Sequence, residues 1–165
     1  MRHLAMAVLA CSVALVGCGF HLRGSSVNTN IASAYVRTGQ NVTIAGELTR
    51  MLGQSGVKML DSATGAAVVI DLLDQQQSSR TVSFTDRATT AETELDLGVR
   101  FKIVGVGGKP LIEERWARAT RTFLVDTNNL VGSNQQQQIL NGELGTDVAQ
   151  QIIRSLSAAT RTKSP

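Results

Sequence analysis

The feature that most constrains the fold is a pair of long alternating segments joined by a glycine-rich linker. Within residues 92–106, large apolar side chains occupy every second position, with charged residues or glycine between them. Residues 111–126 alternate in the same way, and the linker GVGGKP contains residues that favour turns. Because successive side chains of a strand point to opposite faces, the pattern predicts an antiparallel hairpin of two long strands, each half-buried.

Four shorter segments precede this hairpin. Residues 34–37 have the composition of a strand, and residues 66–73, AAVVIDLL, are apolar enough for a strand buried on both faces or nearly so. The polar stretch QQQSSR and the segment TVSFT follow the latter. Between the two, residues 41–54 have apolar side chains at spacings of three and four, which predicts an amphipathic helix with Asn41 as its N-cap. Residues 57–60 fit a short strand or a turn.

The last element predicted is a long amphipathic helix over about residues 134–158. Its apolar stripe repeats every four residues and consists of Leu140, Leu144, Val148, Ile152 and Leu156. The tail, residues 159–165, is predicted to be disordered. The order of elements predicts an α+β domain of two layers, with two helices packed on one face of a mostly antiparallel (mixed) four-stranded sheet.

The N-terminus has the layout of a secretory signal. A short basic start is followed by an apolar run from residue 4 to residue 16, which is too short to cross a bilayer. The run ends in Leu15, Val16, Gly17 and Cys18, the pattern of a bacterial lipobox, in which the cysteine thiol is lipidated and the signal is cut just before it. The sequence therefore predicts a signal peptide over residues 1–17 and lipidation of Cys18. The alternative, a buried cysteine at the start of a soluble domain, stays open.

Cleavage before Cys18 has consequences for the mature chain. Cys11 is removed with the signal, so the one remaining cysteine is acylated and no disulfide can form. Gly19 follows the lipidated residue instead of the aspartate that retains enteric lipoproteins in the inner membrane, which predicts an outer-membrane, lipid-anchored protein. Residues 18–33 form the lipidated segment, and residues 34–158 form one domain, in keeping with a length typical of single domains.

The mature chain is only weakly basic. Loss of Arg2 with the signal lowers Lys+Arg from 16 to 15, against 13 Asp+Glu. Arginines nevertheless concentrate in the middle of the chain, at Arg80, Arg87, Arg100, Arg115, Arg118 and Arg121. Such a cluster could bind a phosphorylated lipid or a nucleic acid. The secretory route and the single Trp and Tyr argue against nucleic acid, whose single strands stack on aromatic side chains.

The inventory of reactive residues argues against catalysis and against a cofactor. The mature chain has one histidine, His21, next to the anchor, and no free thiol, which excludes Cys-His chemistry and metal sites that need several such ligands. Glu92, Glu94 and Asp96 share one strand face and could bind Ca²⁺ or act as an acid/base pair. Strand alternation alone also accounts for them, and this interpretation is preferred.

The motif C-G-F-H-L-R-G at residues 18–24 resembles the start of mature members of the LptE family, formerly called rare lipoprotein B, which are outer-membrane lipoproteins of lipopolysaccharide transport. The resemblance extends to F-T-D-R-A-T-T-A-E at residues 84–92 and R-x-F-L-V-D-x-N at residues 121–128. It also includes a Gln-rich entry to a terminal helix containing D-V-A-Q-Q-I-I-R-S-L at residues 147–156. It therefore covers nearly the whole mature chain.

This resemblance implies a protein that is not an enzyme. Members of the family lie as a plug in the lumen of the outer-membrane β-barrel LptD, assist its assembly, and bind lipopolysaccharide through basic residues near the loop before the central strand. In this sequence Arg87 matches that position to within a residue. A second basic residue of enteric members falls near Gly132, but residues 127–138 contain no Lys or Arg. The resemblance thus implies lipopolysaccharide binding by Arg87, with Arg80, Arg118 or Arg121 as possible substitutes for the second cation.

Other interpretations remain. Arg87 could equally be an exposed arginine at a hairpin tip, where polar residues are common. The main rival function is a generic lipoprotein facing the periplasm with an adaptor or peptidoglycan-associated role. A lipoprotein hydrolase is a third possibility, but the sequence offers no nucleophile with a base.

Overall fold

The computed structural model describes residues 31–84, 90–126 and 128–161. The elements are strand β1 (Ser33–Thr38), helix α1 (Ala45–Gln54), strand β2 (Lys58–Met59), strand β3 (Val68–Phe84), strand β4 (Thr90–Gly105), strand β5 (Pro110–Asp126) and helix α2 (Leu130–Arg161). A short 3-10 turn, Val106–Gly108, joins β4 to β5. The signal segment, Cys18 and Arg87 lie outside the described residues.

The strands form one mixed sheet in the order β2-β1-β3-β4-β5. β1 is parallel to both of its neighbours, whereas β3, β4 and β5 are antiparallel to one another. The predicted α+β class with two helices is confirmed, but the prediction of four strands was wrong because β2 is a fifth. β2 has only two residues, which is too short for a hydrophobic period, and it is held by backbone hydrogen bonds such as Leu60 N to Ala34 O at 2.9 Å.

Strand β3 is longer than its apolar part suggests. Residues 66–73, the polar QQQSSR and the segment up to Phe84 belong to one strand of 17 residues that pairs with β4 along its length. The register shifts between Leu72 and Asp74 and again between Thr81 and Ser83. Each shift inserts one extra residue into β3, so that the side chains that follow change from one face of the sheet to the other.

The hairpin predicted from the alternating segments is confirmed. The turn between its strands is formed at Gly107 and Gly108, which have φ angles of 72° and 78°. These left-handed conformations cost glycine little and most other residues more, which is the reason for the glycine-rich linker.

Helix α1 has the predicted apolar face, since Leu48 and Leu52 are fully buried. The prediction that Asn41 caps the helix was wrong, because the N-cap position is Ile44 and no side chain caps it. Asn41 instead has a φ of 64° in the turn before the helix, a left-handed conformation that asparagine tolerates well.

Helix α2 spans 32 residues and extends beyond the predicted helix at both ends. It begins where Asn129 Oδ1 accepts a hydrogen bond from Gly132 N at 3.1 Å, as an N-cap side chain does. Its end at Arg161 makes residues 159–161 helical, so the predicted disordered tail was wrong for these three residues, while residues 162–165 lie outside the described part. Neither described helix combines the length and the apolar character that crossing a bilayer requires.

The core lies between the two helices and one face of the sheet, here called the helix face; the opposite side is the open face. The alternation predicted for β4 is confirmed, because its alternating apolar residues are all buried on the helix face, namely Leu95, Leu97, Val99, Phe101 and Ile103. The largest fully buried side chains are Phe101, Leu48, Leu52, Ile70, Leu72, Leu95, Ile103, Leu144, Ile152 and Leu156. Full burial of one such side chain contributes about 1.5–3 kcal/mol.

Helix α2 lies along the outermost long strand, β5, and bonds to its backbone. Gln151 Nε2 donates to the carbonyl oxygen of Arg118 at 2.7 Å. Nearer the end of the strand, Ser133 Oγ accepts a hydrogen bond from Asp126 N at 3.0 Å. The helix is therefore fixed to this strand by polar contacts as well as by its apolar stripe.

Candidate functional site

The open face carries most of the charged side chains of the sheet and is covered by neither helix. Alternation places the even-numbered residues of β4, from Glu92 to Lys102, on this face. Even-numbered residues of β5, from Trp116 to Thr122, lie beside them because the two strands pair in register. The open face is thus a broad polar surface, and the positions of three of the four arginines predicted to bind lipopolysaccharide can be compared with it.

At the β1 side of the open face, a buried carboxylate joins three strands. Asp71 of β3 lies 3.2 Å from Nη1 of Arg37 on β1 and 3.8 Å from Nζ of Lys102 on β4. Its side chain is 7% exposed, whereas those of Arg37 and Lys102 are 58% and 44% exposed. Two half-exposed cations therefore lie beside one buried carboxylate, as is usual for a charged group taken out of water.

At the centre of the open face, two guanidinium groups stack on one indole. The Cζ of Arg118 lies 4.6 Å from the centre of the Trp116 ring, and that of Arg100 lies 6.0 Å from it. Such cation–π contacts contribute about 0.5–1 kcal/mol at exposed sites. Arg100 is also bonded to Glu114 at 2.7 Å, and Arg118 lies 3.5 Å from Asp96.

Gly98 makes this stack possible. It faces Trp116 and Arg118 from the neighbouring strand, and a Cβ atom there would lie 3.0 Å from Arg118 Nη1 and 3.3 Å from the indole. The absence of a side chain lets both groups lie across β4, which explains why a glycine interrupts the alternation of charged residues.

The three carboxylates at the far end of β4 each contact a different side chain. Asp96 accepts a hydrogen bond from Thr120 at 3.0 Å, Glu94 one from Arg80 at 2.7 Å, and Glu92 one from Ser83 at 2.9 Å. Within the described ranges no group of three His, Cys, Asp or Glu side chains converges on a possible metal position. The contacts favour the interpretation of these residues as a polar strand face.

The predicted lipopolysaccharide-binding arginines do not lie together. Arg80 and Arg118 are on the open face, each in contact with a carboxylate. Arg121 is on the helix face, bonded to Asp147 of α2 and 3.9 Å from Glu143, so it fastens the helix to the sheet. Arg87 lies outside the described residues. Gly132, the position matched to a second basic residue, is in the first turn of α2.

Sequence reasoning missed the contribution of Asp71 and of Trp116. Asp71 is the one charged residue in the apolar run 66–73, and that exception was a usable signal for a buried ion pair. The sequence contained no comparable indication of the role of Trp116, because its contacts with Arg100 and Arg118 depend on the register of β4 and β5.

One charged pair lies away from the open face, on helix α1. Glu47 accepts hydrogen bonds from Arg50 at 2.6 and 3.0 Å, and Thr146 of α2 donates to it at 3.3 Å. The bond from Arg50 is the main cause that lowers the pKa of Glu47 below its ordinary value of 4.5.

The fold and the sequence are both similar to those of known proteins. "Uncharacterized lipoprotein B" from Nitrosomonas europaea superposes with a TM-score of 0.73 at 22% identity, covering 87% of this chain and 93% of that one. A "minor lipoprotein" from Acinetobacter baumannii superposes with a TM-score of 0.64 at 24% identity, covering 79% and 93%. At these identities the superpositions show a shared fold.

Sequence relatives extend over nearly the whole chain. The "LPS-assembly lipoprotein LptE" of Photorhabdus laumondii subsp. laumondii is 25% identical over 160 residues, which is 94% of this chain and 87% of the relative. The protein of the same name from Yersinia pestis is 26% identical over 161 residues, 94% and 77% of the two chains. The model of the LptE family, described as "Lipopolysaccharide-assembly", matches residues 28–156. The resemblance predicted from the sequence is confirmed, and the chain belongs to the LptE family.

Proposed function

We propose that this protein is an outer-membrane lipoprotein, anchored through Cys18 and facing the periplasm, that assembles lipopolysaccharide at the cell surface together with an LptD-like β-barrel. In this proposal it acts as the plug and assembly partner of the barrel, binds lipopolysaccharide, and catalyses no reaction. Family membership and the names of the relatives support the role in lipopolysaccharide assembly.

The observation that carries the barrel partnership is the open face of the sheet. Every cation of its ion-pair network, from Arg37 at one side to Arg80 at the other, contacts a carboxylate. A flat surface of this kind is polar without a strong net charge, and its half-exposed groups can be bridged by water to another polar surface. The interior of a wide outer-membrane barrel is such a surface, since its strands point polar side chains inward.

Lipopolysaccharide binding is proposed at Arg87, with Arg80 as the described residue best suited to assist it. Arg80 is on β3, four residues before the strand ends at Phe84, and its side chain is 72% exposed. Its carboxylate partner, Glu94, is 25% exposed, so a lipid phosphate could compete with Glu94 for the guanidinium. Arg118 contacts the Trp116 ring and Asp96, and Arg121 forms an ion pair with Asp147 of helix α2. The guanidinium groups of both are therefore less available to a lipid phosphate.

Affinity purification of the tagged, lipidated protein from detergent-solubilised outer membranes tests the partnership. The expected result is one large β-barrel protein that co-elutes at equal stoichiometry. Recovery of the folded, lipidated protein with no such partner would contradict the proposal and support a generic lipoprotein role.

Lipopolysaccharide binding is tested separately on the purified protein. Arg87→Asp is expected to weaken binding by about tenfold or more, because it removes one charge-assisted interaction and adds a repulsion. Lys58→Asp, the same change of charge on the short strand β2, serves as the control and is expected to have little effect. Equal binding by wild type and Arg87→Asp would argue against the lipid site while leaving the barrel partnership standing.

A further inference from the structure

Arg115 and Arg154, on the helix side of the sheet, form no ion pair within the described part of the chain. Among the described residues, Arg37, Arg50, Arg80, Arg100, Arg118 and Arg121 each form an ion pair with a carboxylate. Arg115 of β5 forms none there, and Arg154 of α2 contacts only the neutral Gln150 of its own helix, at 3.4 Å. Six of the nine described arginines are thus paired, and the remaining three are Arg115, Arg154 and Arg161 in the last turn of α2. Arg115 and Arg154 therefore retain their charge for another anion.

Arg115 and Arg154 line the same groove, between β5 and the last turns of α2. The groove has a volume of about 450 Å³, and Ser155 is the other polar residue on its wall. The rest of its lining is apolar and consists of Leu111, Ile112, Ala158 and Ala159. The groove therefore combines two arginines with a largely apolar lining, and no carboxylate in that lining opposes an incoming anion.

The apolar part continues past Leu111 into a second groove. Leu111 also lines a neighbouring space of about 390 Å³ whose other walls include Ile31, Val68, Val106 and Thr160. Val106, at the turn between β4 and β5, is 77% exposed. The groove with the two arginines is thus continuous with this second groove, here called the apolar channel. Both lie at the end of the sheet near Ile31, opposite the end at which β3 finishes at Phe84 and β4 begins at Thr90.

We propose that this pair of grooves binds a phosphorylated amphiphile. Two guanidinium groups suit a phosphate, since each presents several N–H donors that can bond its oxygens directly. The acyl chain of the ligand lies along the apolar lining past Leu111 to Val106, where each buried CH₂ group contributes about 0.8 kcal/mol. The site is separate from Arg87 and from the open face, and it does not depend on the proposed function, because a phosphate and an acyl chain alone define its ligand.

The test compares three probes on the full-length protein in a neutral detergent, with dissociation constants measured by calorimetry. Dihexanoyl phosphatidic acid is expected to bind more tightly than inorganic phosphate, which lacks the chains, and than dihexanoyl phosphatidylcholine, which has no net charge. Equal affinity for inorganic phosphate and phosphatidic acid would overturn the assignment of an amphiphile.

The arginines are tested with a double variant and a matched control. Arg115→Ala combined with Arg154→Ala is expected to weaken binding of phosphatidic acid by about tenfold or more. Lys58→Ala combined with Lys109→Ala removes the same charge from exposed residues outside both grooves and is expected to stay within about twofold of wild type. Equal losses in the two double variants, or no loss in the first, would overturn the site. Should the double variant unfold, each single arginine variant is expected to lose about threefold.

A further variant tests the apolar channel separately from the cations. Val106→Asn is expected to weaken the binding of phosphatidic acid by about threefold while leaving the affinity for inorganic phosphate unchanged, because only the acylated probe reaches the turn. An equal loss for both probes would contradict the placement of the chain. Competition by purified lipopolysaccharide would identify a saccharolipid as a ligand of the site, and its failure to compete would support a glycerophospholipid.

Discussion

On the helix face of the sheet, side chains such as Phe101 and Ile103 are almost fully buried under two helices, whereas on the open face Arg100 and Lys102 of the same strand are 39% and 44% exposed. The first face is stabilised by the removal of apolar area from water, the second by ion pairs that remain partly hydrated. One strand can thus contribute to both faces in different ways, because adjacent residues lie in different environments. The helix face maintains the fold, and the open face is left available for contact with a partner.

The comparison predicts that the largest loss of stability follows from a change on the helix face. Ile152→Ala removes a fully buried side chain of α2 and leaves a cavity, so the free energy of unfolding should fall by about 3–4 kcal/mol. Urea unfolding measures it. The control is Gln136→Ala on the exposed side of the same helix, for which a change below about 0.5 kcal/mol is expected. A small loss for Ile152→Ala would mean that the helix is not held by its apolar stripe.

Asp71 is the most buried charged residue of the open face, and its removal tests how far that face contributes to stability. Asp71→Ala should lower the free energy of unfolding by about 1–2 kcal/mol, less than a core change, because Arg37 and Lys102 are exposed enough to be solvated again. Asp74→Ala, at a nearby position without an ion pair among the described residues, is the control. A loss as large as that of Ile152→Ala would abolish the distinction between the faces.

Gly98 provides a smaller test, at the stack of Trp116. In Gly98→Ala the new Cβ atom approaches Arg118 Nη1 to 3.0 Å, and the flexible guanidinium must move. We expect the free energy of unfolding to fall by less than about 1 kcal/mol and the fluorescence of Trp116, the only tryptophan of the chain, to change. Gly142→Ala in α2 has open space around its Cβ and should instead stabilise by about 0.5–1 kcal/mol with unchanged fluorescence. An unaltered spectrum in Gly98→Ala would argue against the stack.

The smallest effect is expected from the ion pair on α1, which lies on the helix side but outside the core. Because Arg50 lowers the pKa of Glu47 in the folded state, the ionised carboxylate stabilises the fold above pH 4.5, and this contribution is lost as the pH falls through the lowered pKa. Glu47→Gln should therefore lower the urea midpoint slightly at pH 7, and this difference from wild type should shrink as the pH is lowered below 4.5. A difference that does not shrink at all as the pH is lowered would show that the hydrogen bonds, not the charge, are responsible.

The elements that could be predicted from the sequence are those with a hydrophobic period. The alternation in β4 located the strand to within two residues at each end and identified the face it buries, and the four-residue repeat from Leu140 to Leu156 identified α2. β2 has no period because it is two residues long, and the start of α2 was missed because Leu130 and Val131 are exposed and do not continue the stripe.

The candidate site was less predictable because it depends on register. Asp71 is on the open face, so simple alternation would place Arg80, nine residues later, on the helix face. The extra residue in β3 between Leu72 and Asp74 reverses the alternation and brings Arg80 opposite Glu94 on the open face. The arginines could thus be named from the sequence, but their partners could not.

The contacts of α2 along β5 bear on how this protein meets its neighbours. An outer strand of 17 residues is long enough to template a strand of another molecule, which is a common start of aggregation. Here Gln151 and Arg121 donate hydrogen bonds to the outward carbonyl oxygens of Arg118 and Thr120. The opposite edge of the sheet is a strand of only two residues. Part of each edge is therefore blocked against pairing with another chain. Beyond Leu72, however, β3 has no strand on its β1 side, so residues 74–84 are the stretch at which a further strand could add to the sheet.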